Sequence, residues 1–370
     1  MSNIMYHRCE PENSKSSYAA YDTLDFILQA EGRALKRNSI RFEADISVVR
    51  TPTGANTRRV AVADRIYWDH RVGAHAVFEN FTSELQSAGM IENINEYPRY
   101  VSMCSTAEKD ENDYLMSGPQ TELQAPTDLH AAQYLHGVVS TNSNNPTTVD
   151  ADFSLKPKIC LNKMSGELSF DSNGYVKLSC NLMRNEAVFY GEDCDATTSH
   201  ALTNVSVCFM TVPDVKQKVT MRTILNLKSS INSAFSNTSS KVPAICDGVS
   251  CIFLKQSSEN QPTFNNNRLD NVPELDEIQF LFNDSTSKYI SYVINDRADM
   301  LQKFIESLKN TDHNEVSINR FRGNGFGIGL DFPMVDLSNQ KFSIQLNSSA
   351  TSLSANPFIL YMYFHSLVTV

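Results

Sequence analysis

The chain closes on Phe358 to Val370, FILYMYFHSLVTV, a run that is apolar on both of the faces a strand would present. A helix that spans a bilayer needs about 20 apolar residues. This run is shorter, includes His365 and Ser366, and has no flanking Lys or Arg. Its Phe, Tyr, Ile and Val content favours extended backbone. A strand that is apolar on both faces has to be covered on both. The run is therefore expected to be a central strand of a packed sandwich, threaded through the middle of its neighbours. A membrane tail anchor is the competing reading.

The rest of the chain supplies partners for such a strand. Ile40, Phe42, Ala44, Ile46 and Val48 alternate with polar residues, as do Val176, Leu178, Cys180 and Leu182. Val205, Val207 and Phe209 follow the same rule, then Val219, Met221, Thr223, Leu225 and Leu227, then Val249, Cys251 and Phe253. A period of two is that of a strand with one face in a core. DEIQFLFND (276–284) and KYISYVIN (288–295) are further candidate strands. A turn is expected near Ala88–Gly89, followed by a short helical or irregular stretch broken by Pro98. Asn173-Gly174 predicts a tight hairpin, because both of its turn positions need positive φ. The polar segment 139–158 reads as a long loop or an intersheet crossing.

Helices are few. One is predicted over 296–309, with Asn295 or Asp296 as cap, Asp299 in the first turn and Lys309 in the last. Its apolar face is Met300, Leu301, Phe304, Ile305 and Leu308. Residues 18–36 read as an amphipathic helix or a loose arm, with a stripe of Tyr21, Leu24, Ile27, Leu28 and Leu35, weakened by Gly32. Roughly 12 to 16 short strands and so few helices point to an all-β chain of antiparallel sandwiches or barrels.

Composition removes several functions. The formal charge is -10, and the densest cationic groups are only Arg33, Lys36, Arg37, Arg41 and the pair Arg58–Arg59. Strong nucleic-acid binding needs clustered cations to displace counterions from phosphates, and no basic arm is present. The eight cysteines, Cys9, Cys104, Cys160, Cys180, Cys194, Cys208, Cys246 and Cys251, form no Cys-x-x-Cys pair. They are expected as free, mostly buried thiols. The N-terminal residues lack the apolar core of a signal peptide, so synthesis in a reducing compartment is expected and the five Asn-x-Ser/Thr sequons are read as compositional.

No residue constellation names a chemistry. Gly323, Gly325, Gly327 and Gly329 alternate, but a strand-like IGLDF follows where a phosphate loop needs a helix. These glycines are expected to let two backbones approach or to bend a strand. His70 and His75, near Asp69 and Glu79, lie at a spacing that fits no helical ligand pair. Glu108, Asp110, Glu111 and Asp113 lack the ligand pattern of a calcium loop. No nucleophile elbow or Glu-x-x-His motif occurs. No catalytic, cofactor-binding or metal-ligating residue is therefore assigned.

Two segments are similar to double-jelly-roll viral capsid proteins. In VGAHAVFENFTSELQSAGMIENINEYPRY (72–100) a strand starting near Gly-x-His leads through a turn to Ile-Glu and then Tyr. The end, GIGLDFPMVDLSNQKFSIQLNSS and then NPFILYMYFHSLVTV, resembles their closing strands. The resemblance implies two tandem eight-stranded jelly rolls: an arm at 1–39, a first roll over 40–212 that includes loop 139–158, and a second over 213–370 that includes helix 296–309. It implies a major shell subunit of an icosahedral DNA virus, assembled as a homotrimer into a pseudo-hexagonal tile beside neighbouring capsid subunits. Such a protein is made in the host cytoplasm, resides in the virion, is not an enzyme and needs no cofactor. Residues 18–36 would then face an internal membrane or minor capsid proteins.

Alternatives remain at this stage. One is a single jelly roll with a large inserted or appended domain, as in a vertex (penton) protein. Another is a receptor- or glycan-binding sandwich using loops 105–158 and 255–275. The third is a sandwich glycoside hydrolase, which needs two converging carboxylates.

Overall fold

The computed structural model describes residues 3–61, 63–108, 121–124, 151–242, 244–270, 273–282, 296–308, 327–338, 341–349 and 352–370. The first half contributes β1 (Met5–Cys9), β2 (Tyr18–Ala19), β3 (Thr23–Leu28), β4 (Arg33–Leu35), β5 (Arg41–Arg50), β6 (Arg58–Arg59), β7 (Phe78–Leu85) and β8 (Gly89–Asn95). After helix α1 (Tyr97–Glu108) come β9 (Ala151–Leu155), β10 (Leu168–Ser169), α2 (Phe170–Asn173), β11 (Val176–Leu182), α3 (Asn185–Val188) and β12 (Ser199–Pro213). The second half contributes β13 (Thr220–Ile231), β14 (Phe235–Lys241), β15 (Ile245–Lys255), β16 (Glu277–Phe282), α4 (Arg297–Leu308), β17 (Ile328–Asp336), β18 (Lys341–Asn347), α5 (Ser352–Ala355) and β19 (Phe358–Thr369).

The main strands of the first half, in chain order, are β1, β3, β5, β7, β8, β9, β11 and β12. They pair as β1–β12–β5–β9 in one layer and β3–β11–β7–β8 in the other. Counted along the chain, the first strand thus lies beside the last, which lies beside the third, then the sixth. The other layer runs second, seventh, fourth, fifth. That permutation is a jelly roll, two Greek keys wound together. The second half repeats it. One layer is β13–β19–β15–β17, and the facing layer is β14–β18–β16. The place for its fifth strand falls after β16; the candidate strand 288–295 lies outside the described residues. Both halves are jelly rolls, so the single-roll alternative lacks its premise. A parallel pairing of β8 with β13 at Asn93 and Leu225 joins the two rolls through one eight-stranded sheet.

The terminal run is β19, a central strand, and the tail-anchor reading is overturned. It pairs with β13 from Ile231↔Phe358 to Thr220↔Thr369, and with β15 on its other edge. Phe358 to Ser366 are all buried. Alternate side chains serve opposite faces: Phe364 packs edge-on against Phe342 of β18 at 5.2 Å, whereas Tyr363 meets Tyr100 of α1 at 5.4 Å. Among the described residues no helix is long and apolar enough to cross a membrane.

Four readings are corrected. Residues 18–36 form β2, β3 and β4, not an amphipathic helix. Leu24, Phe26 and Leu28 are buried at a period of two, while Tyr21 is exposed and has positive φ, as does Gly32. The helical stripe was a coincidence of spacing. Asn173-Gly174 does not close a hairpin. Asn173 ends α2, whose cap Ser169 accepts the Ser172 N–H, and Gly174 takes the positive φ that a helix stop needs. Segment 139–158 contains β9, paired with β5; its Ala151, Phe153 and Leu155 alternation is buried inside a polar composition. Pro98 does not break a helix but sits in the first turn of α1, where its missing N–H costs nothing.

Other expectations hold. Helix α4 forms, with Asp296 accepting the Ala298 N–H and Met300, Phe304, Ile305 and Leu308 buried; Asn295 and Lys309 lie outside the described residues. The β7–β8 turn spans 86–88 and leads into Gly89, the first residue of β8, at positive φ. All eight cysteines are free. A Cβ on Gly327 would meet the Cys251 carbonyl oxygen at 1.7 Å, and one on Gly329 would meet Ser307 Oγ at 2.1 Å. These glycines therefore permit the close approach of β17 to β15 and α4; Gly323 and Gly325 lie outside the described residues.

Two outcomes follow from this packing. Gly327→Ala is expected to lower the unfolding free energy by about 1–3 kcal/mol through overpacking, read as a shift of the urea midpoint. His200 on β12 is buried, and among the described residues neither ring nitrogen has a hydrogen-bond partner. Burial pulls its pKa down to about 4 from 6.5. The fold therefore favours the neutral ring. The stability this confers is full above pH 6.5 and is lost as pH falls through about 4, a change of about 3 kcal/mol. Urea titrations of the protein and of His200→Leu over that range should show a shallower acid limb in the variant.

Candidate functional site: the seam between the rolls

Where β8 meets β13, the two rolls are held by polar groups over an aromatic floor. The local cause is α1. It leaves β8 directly and runs buried, from Tyr97 to Ala107, beside β19. Its Arg99 is almost wholly buried, and the guanidinium lies 4.6 Å above the Tyr361 ring. Arg99 pairs with Glu96 at 3.4 Å and donates to the Asn266 carbonyl of the loop after β15. Lys228 of β13 approaches the same tyrosine ring at 5.5 Å and pairs with Glu259 at 2.5 Å and Glu96 at 3.6 Å. The Tyr361 hydroxyl donates to Glu259 at 3.3 Å. Burial would raise the Glu259 pKa, but Lys228, Arg99 and the Tyr361 hydroxyl together outweigh it and hold the carboxyl below its ordinary value. Two cations and two carboxylates thus balance around one aromatic ring, with Glu96 and Arg99 from the first roll and Lys228, Glu259 and Tyr361 from the second.

Backbone groups complete the joint. The Asn95 N–H donates to the Asn226 side-chain oxygen at 2.9 Å. The Ser165 N–H donates to the Thr220 carbonyl at 2.8 Å, and the Thr220 N–H to Ser165 Oγ at 3.0 Å. Glu92 on β8 is buried between the rolls. Its carboxylate accepts the Cys160 N–H at 2.7 Å from the first roll and the Ile224 N–H at 2.9 Å from the second. Burial pushes its pKa up to about 7 against the pull of those two donors and of Lys163.

Residues 255–275, which the alternative binding-sandwich reading assigns to a binding loop, include part of this joint. Asn265 donates to Asp69, Asn266 to the Glu186 carbonyl and Asn267 to the Ala187 carbonyl, at 2.7, 3.3 and 3.4 Å. Most of 105–158 lies outside the described residues. The groups around His75 are engaged within the fold. His75 is buried with Nδ1 2.9 Å from the Tyr97 hydroxyl. Asp69 accepts the N–H groups of Arg71 and Val72, closing its own turn. Glu108 pairs with Lys158, while Asp110, Glu111 and Asp113 lie outside the described residues. Among the described residues no group of three His, Cys, Asp or Glu is placed to hold a metal.

Sequence reasoning missed Arg99, Lys228, Glu259 and Tyr361 as a unit, because they are scattered from 99 to 361 with no linear spacing. The available signals were polar groups in apolar surroundings: Glu92 within an alternating strand, and tyrosines within the apolar closing run. Arg99→Met should remove the donor from the Asn266 carbonyl and leave Glu96 with Lys228 alone, at a cost of about 3–5 kcal/mol. Arg99→Lys should rescue little, since an ammonium cannot keep the planar stacking and both bonds. Urea unfolding of the two variants checks this order.

No protein-family model matches the sequence, and no curated protein matches it. Solved structures do. The major capsid protein of Faustovirus superposes with a TM-score of 0.68 at 8% identity, over 100% of this chain and 90% of that one. The PBCV-1 VP54 crystal structure, as fitted into a reconstruction of the virophage Sputnik, gives 0.59 at 9% identity over 100% and 95%. The Sputnik virophage structure gives 0.54 at 12% identity over 99% and 85%. At such identities the shared property is the fold, and it extends over essentially the whole of this chain.

Proposed function

We propose that this chain is a major shell subunit of an icosahedral virion, a structural protein that performs no catalytic step. The observation that carries the reading is the repeated strand permutation: two jelly rolls of like winding, joined edge to edge through one sheet. Three such chains present six similar rolls, the symmetry of a pseudo-hexagonal tile. The agreement in fold with viral major capsid proteins along the whole chain supports it. We place the division between the rolls after β12, near residue 213, with the earliest strands counted within the first roll rather than as a separate arm.

The charge distribution fits a shell that does not grip nucleic acid directly. Arg33 is bonded to Thr211, Arg41 to Ser154 and Arg58 to Asp64. A membrane or minor shell proteins beneath the tile would meet 18–36 only through its exposed residues, Tyr21 among them. There Leu24, Phe26, Leu28 and Leu35 are committed to the protein's own core. Synthesis in the host cytoplasm and residence in the virion follow from this role.

Native mass spectrometry and light scattering of the purified chain test the proposal. A stable trimer that adds to larger assemblies is expected. A species that stays monomeric at tens of micromolar overturns it, and a pentamer transfers the role to a vertex.

A further inference from the structure

Glu92 stands apart from the other charges at the seam. The Arg99 and Lys228 cluster is a balanced set of ion pairs, whereas Glu92, 4% exposed, has no salt-bridge partner among the described residues and feels only the more distant charge of Lys163. Its two oxygens accept backbone N–H groups from opposite rolls, Cys160 in the first and Ile224 in the second. Those bonds close the span between the β8–β13 pairing and the turn at 160. Parting β8 from β13 breaks the bond to Ile224, the one of the two that crosses the seam.

The surroundings offer little to hold a charge. From the turn at 160 come the Cys160 thiol and Lys163, whose ammonium is bound to the Tyr100 hydroxyl at 2.8 Å. From α1 come Tyr97 and Tyr100, both held neutral by burial. The Cys160 thiol is likewise kept protonated, first by burial and then by Glu92. From β13 comes the Ile224 N–H alone, and Ser83 of β7 is a buried hydroxyl next to Cys160.

We propose that Glu92 is a proton-operated latch between the two rolls: protonated, it stays dry and the seam holds; ionised, it draws water in and the seam loosens. This rests on the geometry of the joint and stands whether or not the chain builds a shell.

The direction follows from linkage. The Glu92 pKa is raised in the fold, to about 7 from 4.5. The stability it confers is therefore complete below pH 4.5 and is lost as pH rises through about 7. Both N–H bonds favour the ionised form, but burial outweighs them. An opening that exposes Glu92 to water should become about 30-fold more populated between pH 5.5 and pH 8.5.

Hydrogen exchange of the intact protein reads this directly, because the Ile224 and Cys160 amides donate to Glu92. Their protection factors, corrected for the intrinsic pH dependence of exchange, should fall about 30-fold over that range relative to amides of β5. In Glu92→Gln the same amides should be less protected at pH 5.5, since one acceptor becomes a donor, but protection should no longer change with pH. Unchanged protection in the native protein, or an equal pH response in the variant, overturns the proposal. Should the variant not fold, carboxyl-carbon NMR of the native protein decides: a Glu92 midpoint near 7 supports the latch, and one below pH 5.5 overturns it.

Discussion

Burial of β19 on both faces is the constraint on which the rest of this structure depends. One face supplies Phe364 to the interior of the second roll, against Phe342. The other supplies Tyr361 and Tyr363 to the joint with the first roll, where Arg99 and Tyr100 meet them. A side chain of this size contributes about 1.5–3 kcal/mol when fully buried. The strand can collect that on both faces only if it is flanked by β13 and β15 and overlaid by α1. The same twelve residues therefore complete one roll and dock it to the other.

The two kinds of contact do different work. Within each roll the cohesion is apolar and non-directional, and it tolerates rearrangement so long as volume is kept. Across the seam it is directional. Glu92, Asn95 and Ser165 reach specific backbone or side-chain partners on β13, and the Arg99–Lys228 cluster surrounds a single ring. Buried polar contacts of this type add little net stability, but they specify register. For a protein built of two like rolls, the relative orientation of the rolls is what such bonds determine.

The places where sequence and structure part company share a cause. Over 18–36 the residues Leu24 and Leu28 satisfy both a period of two and a spacing of four, so the pattern by itself cannot choose. The buried Phe26 between them decides for a strand. Asn173-Gly174 requires positive φ whether it turns a hairpin or stops a helix, and only the Ser169 cap upstream distinguishes the cases. Strand β9 has its alternation, but Asn, Thr and Asp around it set the local average. Each is a local signal with two solutions, and the neighbour in space selected one.

What the sequence determined by itself was the periodicity: short alternating strands, one amphipathic helix at α4, and a closing segment too apolar for any edge. Those features are local, since alternation of side chains is a property of a strand before it has a partner. Only the tertiary structure decided that the strands wind twice in the same order, and that Glu92, Arg99, Lys228, Glu259 and Tyr361 come together. A joint made by residues so far apart along the chain leaves no spacing to read, because it exists only once two separately wound sheets meet at their edges.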